Sequence, residues 1–66
     1  MTRPIRAWRK RKGLKLRELA AQAHVDIGHL SRVETGQREP SAELLGRIAH
    51  ALSVEPPHLL LMEPPP

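Results

Sequence analysis

Residues 19–36, LAAQAHVDIGHLSRVETG, constrain the fold more than any other stretch of this sequence. They are typical of two short helices with a break at residues 24–26. A tight turn between helices usually requires a positive φ, which glycine adopts without strain. Here His24 holds that position, and Asp26 follows as a good N-cap for the second helix. The stretch therefore predicts two helices joined by a tight turn with an atypical residue at the bend.

The apolar composition favours helices throughout the chain. Leu and Ala dominate the apolar residues, and the sequence has one Trp but no Phe or Tyr. No segment alternates apolar and polar residues as a half-buried strand does. A chain of 66 residues forms one small domain with a thin core. We therefore expect an all-α domain over residues 1–62, followed by a disordered proline-rich tail over residues 63–66.

The positions of apolar residues, caps and stop residues predict five helices. Pro4 suits a first helical turn, whereas Gly13 and Gly36 suit the positions after helix ends. Ser41 is the expected N-cap of the fourth helix, which carries Glu43 in its first turn. The predicted helices span residues 4–12, 16–23, 27–35, about 42–52 and 57–62.

Charge is distributed very unevenly along the chain. The first 17 residues hold eight of the eleven Lys and Arg residues and none of the seven acids. Such an imbalance indicates a polyanionic partner, either nucleic acid or an anionic membrane surface. A solvated basic helix without a partner is the alternative that charge alone leaves open.

Several classes of function find no support in the sequence. There is no cysteine, which excludes a disulfide or a Cys-based zinc site. No nucleophile–base pair or phosphate-binding glycine loop is present, so we expect neither an enzyme nor a cofactor. The longest apolar run, residues 59–62, is too short for a membrane span, and no signal peptide is visible. A cytoplasmic location is therefore expected. The histidines lack a metal-ligand spacing: His24, His29, His50 and His58.

The segments LRELAAQAHV and HLSRVETGQREPS resemble the lambda-repressor-like, or XRE/Cro, family of helix-turn-helix proteins. The resemblance extends over residues 5 to about 61. It implies a compact five-helix DNA-binding domain with the helix-turn-helix at helices two and three. The matching positions are Leu19, Ala20, Ala23, Val25, Leu30, Val33, Glu34, Gly36, Pro40 and Ser41.

The resemblance further implies that residues 27–35 form a recognition helix in a DNA major groove. Arg32 is the leading base-contacting residue, because its guanidinium can bond guanine O6 and N7 together. Each of these residues also has a simpler interpretation. Arg32 would be solvated or contact only phosphate, Ile27 would lie at the edge of the core, and His29 would be exposed without a role. The implied function is sequence-specific transcription regulation by a homodimer on a pseudo-palindromic operator. The base-contacting set is Ile27, Gly28, His29, Ser31 and Arg32.

Other family positions imply phosphate contacts and a structural ion pair. Arg17, at the start of helix two, and Arg38, in the loop before helix four, match phosphate-binding positions. Arg9 and Glu34 match a pair that is buried or half-buried in relatives. Trp8 stands where relatives place a core leucine. Weaker phosphate candidates are Lys15, Arg3 and Arg6.

The sequence departs from the family pattern at three places. His24 replaces the turn glycine, and Leu16 stands where many relatives carry a phosphate-contacting glutamine. Ile27 and Gly28 replace the usual polar start of the recognition helix. The last two changes weaken hydrogen bonding to bases, and they predict either readout through Arg32, methyl contacts and DNA shape or binding of modest specificity.

A protein-interaction module on the same scaffold is the main alternative function. An antitoxin, or an accessory protein bound to another regulator, would use the apolar start of helix three and the apolar cluster at residues 59–62. A membrane-surface peptide is disfavoured, because Ile5 and Trp8 are needed in the core. The predicted dimer contact is the final apolar cluster, which would otherwise only close the core: Leu59, Leu60, Leu61 and Met62.

Overall fold

Residues 3–65 fold into four α-helices followed by one short 3₁₀ helix. A computed structural model describes residues 3–65, with side chains from Pro4 onward, and this part contains no strand. The predicted all-α class is confirmed. The helices are α1 (Arg3–Arg11), α2 (Leu16–Gln22), α3 (Ile27–Thr35), α4 (Ala42–Leu52) and the 3₁₀ helix (Pro57–Leu61).

Local hydrogen bonds set the ends of α3 and α4, as predicted. The Asp26 side chain accepts a hydrogen bond from the His29 N–H at 3.2 Å, and Ser41 Oγ accepts one from Leu44 N–H at 3.1 Å. Gly36 adopts a φ of 86° after the last residue of α3. These contacts satisfy terminal backbone groups that have no partner within the helix.

The predicted fifth helix is a 3₁₀ helix, and a distant side chain closes its end. Trp8 Nε1 donates hydrogen bonds to the carbonyls of Leu59, at 3.2 Å, and Met62, at 2.8 Å. A segment of five residues gains little from α-helical propagation. Its i→i+3 hydrogen bonds are therefore supplemented by the contacts that Trp8 makes from outside the segment. The half-buried Trp8 packs against the core and ties the end of the chain to α1.

All five helical elements pack around one hydrophobic core. In the helix-turn-helix, α2 packs against α3, while α1 and α4 contact them from other sides. The inner residues of both helices are buried, and Val25 in the turn is half-buried against them. This packing fixes α3 relative to α2. The buried apolar residues are Ile5, Leu19, Ala20, Ala23, Leu30, Val33, Leu44, Ile48, Ala49, Leu52, Val54 and Leu60.

The turn between α2 and α3 has the backbone conformation that the sequence predicts. His24 is exposed and adopts a φ of 55°, in the left-handed region. The N–H of the next residue, Val25, bonds the carbonyl of Ala20 at 3.0 Å and closes the end of α2. A histidine in this region carries backbone strain that a glycine would not.

Replacing His24 with glycine is expected to stabilise the domain by about 0.5–1 kcal/mol. Relief of strain outweighs the larger entropy that glycine gives the unfolded chain. Urea denaturation measures the change, and the matched control is Gln22→Gly at the end of α2, which should lower the free energy of unfolding. A midpoint for His24→Gly at or below that of the unmodified protein would contradict the strain argument.

Candidate nucleic-acid interface

The outward side of α3 is open to solvent while its inward side is buried. Leu30 and Val33 have no exposed surface, whereas Arg32 is exposed and Ile27 is 47% exposed. The remaining predicted base-contacting residues lie half-buried along the helix: Gly28, His29 and Ser31. All five therefore lie on one helix that the core holds in a fixed orientation.

Gly28 leaves a space that the Arg32 side chain borders. A Cβ atom built on Gly28 would lie 3.7 Å from Arg32 Nη1 and 3.8 Å from Nη2. The same Cβ would lie 3.0 Å from Asp26 Oδ2, closer than most real contacts. The guanidinium therefore lies back over Gly28 in the first turn of α3. An alanine at position 28 would have to push that carboxylate aside.

Four of the five predicted phosphate-binding residues are described, and these four are exposed on different elements of the fold. Arg17 lies in the first turn of α2 and Lys15 just before it. Arg38 follows α3 in a loop whose backbone is fixed, because the N–H groups of residues 37 and 38 both bond the Arg32 carbonyl. Arg6 lies on α1. The side chain of Arg3 is outside the described part of the structure.

Arg9 and Glu34 form a bidentate ion pair between α1 and α3. Arg9 Nε lies 2.7 Å from Glu34 Oε2, and Nη2 lies 3.0 Å from Oε1. Nη1 donates a third bond to the Leu14 carbonyl at 2.9 Å. The Arg9 and Glu34 side chains are only 11% and 5% exposed. Two parallel charge-assisted bonds therefore join the two helices in a nearly dry setting.

A groove between α1 and the end of α3 brings together residues that sequence reasoning did not connect. Its volume is about 450 Å³, and its lining is Arg6, Ala7, Lys10, Glu34 and Thr35. We call it the α1–α3 groove. Lys10 and Thr35 had no predicted role. The spacing of four residues between Arg6 and Lys10 was the only signal in the sequence that both face the same side of α1.

The predicted dimer contact requires a correction at Leu60. This residue is fully buried in the core, so it offers no surface to a partner. In contrast, Leu61 and Met62 are each about half exposed, at 51% and 50%, and Leu59 is half-buried. The 3₁₀ helix directs neighbouring residues to different sides, so a run of four apolar residues does not form one surface.

Within residues 3–65 no three His, Cys, Asp or Glu side chains come close enough together to hold a metal ion. The described helices are also all too short or too polar to cross a membrane.

Known proteins resemble this chain in both sequence and structure. A family profile described as helix-turn-helix matches residues 5–59. The transcriptional regulator ClgR of Mycobacterium tuberculosis is 44% identical over 50 residues, which are 76% of this chain and 45% of that protein. The HTH-type transcriptional regulator SlrR of Bacillus subtilis is 39% identical over 54 residues, 80% of this chain and 36% of SlrR. This chain thus spans less than half the length of these curated relatives.

A solved structure extends the similarity to the backbone. The crystal structure of the clp gene regulator ClgR from C. glutamicum superposes with a TM-score of 0.79 at 38% sequence identity. The match covers 92% of this chain and 85% of that one.

Proposed function

The chain belongs to the lambda-repressor-like helix-turn-helix family of DNA-binding transcriptional regulators, and we propose that it regulates transcription by inserting α3 into a DNA major groove. One observation carries the proposal: the inward side of α3 is sealed into the core while its outward side, with Arg32, is exposed. A helix held in this way can enter a groove about 12 Å wide without rearrangement.

In this proposal Arg32 bonds a guanine through O6 and N7, and Ile27 contacts a thymine methyl group. His29 and Ser31 add contacts at the edges of the groove, and Gly28 allows close approach. With few polar groups at the start of α3, DNA shape contributes to the preference as well.

The exposed cations on either side of α3 bind backbone phosphates. Arg17, in the first turn of α2, and Arg38, after α3, are the leading residues, because helix starts also present free backbone N–H groups. Lys15, Arg3 and Arg6 add weaker contacts. These interactions position the domain and supply salt-dependent affinity without selecting sequence.

We place two copies of the chain on one pseudo-palindromic site. Half-site centres one helical turn apart are separated by about 34 Å, and the Cα atoms of the domain extend 28 Å along its longest axis. Two copies can therefore bind successive turns side by side on one face of the duplex. The exposed Leu61 and Met62, with the half-buried Leu59, are the proposed contact between them. A non-catalytic protein acting in the cytoplasm fits this role.

A protein-interaction module remains the second candidate, because α3 begins with an exposed Ile27 and the chain exposes Leu61 and Met62. An antitoxin or accessory protein would bury such side chains against another protein. This role predicts a stable protein complex and little salt-dependent binding to duplex DNA.

Selection of bound duplexes from a random pool at physiological salt distinguishes the two functions. We expect an enriched pseudo-palindrome with half-site centres about 10 base pairs apart. Affinity for that sequence should exceed affinity for unrelated duplex by at least about a thousandfold. Absence of any enriched sequence, together with a tight protein partner, would replace the DNA-binding proposal with the second function.

A further inference from the structure

We infer that the α1–α3 groove is an additional binding site for one DNA backbone phosphate, held by Arg6 and Lys10. The inference rests on the proposed function, since the phosphate belongs to the duplex that α3 enters. It gives a role to Lys10, to which the sequence assigned none, and it places the phosphate contact already proposed for Arg6 in the α1–α3 groove.

The two cations of the groove lie on one face of α1 and have no acidic partner. Arg6 and Lys10 are four residues apart, both exposed, and both line the groove. The ion pairs of the described residues are Arg9–Glu34 and Arg47–Glu43, so neither Arg6 nor Lys10 takes part in one. Like charges at this spacing repel each other mildly. An anion between them would turn that repulsion into attraction.

The acidic residue in the groove does not cancel this positive charge. Both carboxylate oxygens of Glu34 accept hydrogen bonds from Arg9, so that pair is neutral as a unit. The Thr35 hydroxyl donates a hydrogen bond to the Arg32 carbonyl at 3.2 Å and is not needed to bind the phosphate. The groove therefore presents two uncompensated positive charges beside the last turn of α3.

The position of the groove favours a phosphate of the duplex as its occupant. A second, smaller groove of about 260 Å³ adjoins it, sharing Arg6, Glu34 and Thr35 and reaching Leu16 and Ser31. The two grooves thus connect α1 with the start of α2 and with the side of α3. When α3 lies in a major groove, the DNA backbone that borders this groove would pass along these elements. A flat anionic membrane would instead contact exposed cations regardless of whether they line a groove.

A pair of double variants with equal loss of charge tests the site. Arg6→Gln/Lys10→Gln removes both groove cations, whereas Arg11→Gln/Lys12→Gln removes two exposed cations of α1 and its end that do not line the groove. Affinity for the selected duplex is measured across a series of salt concentrations. The groove variant should bind roughly tenfold more weakly, and its salt slope should fall by about one unit. The control should remain within roughly threefold of the unmodified protein.

Neutral phosphates locate the contact on the DNA. Methylphosphonate is substituted at one backbone position at a time, and a single position should weaken binding by the unmodified protein and by the control variant. The groove variant should be insensitive at that position alone. Both variants should unfold at the same temperature as the unmodified protein and select the same bases, because all four substituted residues are exposed and none belongs to the base-contacting set.

The outcomes separate failure of this site from failure of the proposed function. Equal loss of affinity and slope in the two double variants would overturn the site, since charge alone would then explain the binding. Absence of salt-dependent duplex binding by the unmodified protein would overturn the proposed function and the site with it. Binding to phosphatidylserine vesicles that only the groove variant loses, with duplex binding unchanged, would replace the DNA phosphate by a lipid headgroup.

Discussion

Glu34→Ala is expected to lower the free energy of unfolding by about 3–5 kcal/mol, because it leaves the Arg9 guanidinium buried without its carboxylate. Arg9 would retain only its bond to the Leu14 carbonyl. Globular proteins are stable by roughly 0.05–0.15 kcal/mol per residue, so a loss of this size removes a large share of the stability of so small a domain. Circular dichroism during urea denaturation measures it directly.

Glu43→Ala is the matched control for this prediction. It removes the carboxylate of the other ion pair, in which Glu43 is 82% exposed and lies 3.5 Å from Arg47. The expected loss is at most about 1 kcal/mol, because exposed pairs and helix-dipole effects are weak. Arg9→Met/Glu34→Leu should recover most of the stability, since no buried charge is then left unpaired. Equal effects of Glu34→Ala and Glu43→Ala would show that burial of the first pair does not matter.

Arg32→Ala is expected to weaken binding to the selected duplex by about 1–3 kcal/mol and to remove the preference for one base. The bidentate contact to guanine accounts for both effects. Arg32→Lys sharpens the test, because lysine keeps the charge but lacks the planar pair of donors. It should retain affinity for unrelated duplex while losing most of the preference at that base.

Arg17→Ala provides the comparison for Arg32, since it is proposed to contact phosphate only. It should weaken binding to all sequences alike and reduce the salt slope by about one unit. Repeating the selection from a random pool with each variant measures base preference directly. An unchanged preference in Arg32→Ala would remove this residue from the base-contacting set.

The sequence was most informative where structure depends on near neighbours. Asp26, Ser41 and Gly36 terminate α3 and α4 as predicted, because a cap bonds backbone groups only three or four residues away. The predicted bounds of α3 agree with the structure. Those of α1 differ by one residue at each end, and α2 ends at Gln22 rather than at residue 23. Terminal turns fray easily, which explains such small differences.

Features that depend on distant contacts were not predictable from the sequence. Residues 57–61 pack against α4 and α1, and Trp8, which bonds the Leu59 carbonyl, is 51 residues away from it. Likewise, the proximity of Lys10 to Thr35 depends on how α1 crosses α3. The Arg32 guanidinium beside Gly28 is a local feature, but helix periodicity gives no side-chain conformation.

The indole of Trp8 has a consequence for how this protein is made. Its bonds to Leu59 and Met62 bridge 51 and 54 residues of a 66-residue chain. A nascent polypeptide cannot form these bonds until residues 59–62 have emerged from the ribosome, so α1 lacks this contact while the residues between them are synthesised. The fold is therefore completed only after these residues have been translated. A product that ends before them would lack both hydrogen bonds of the indole.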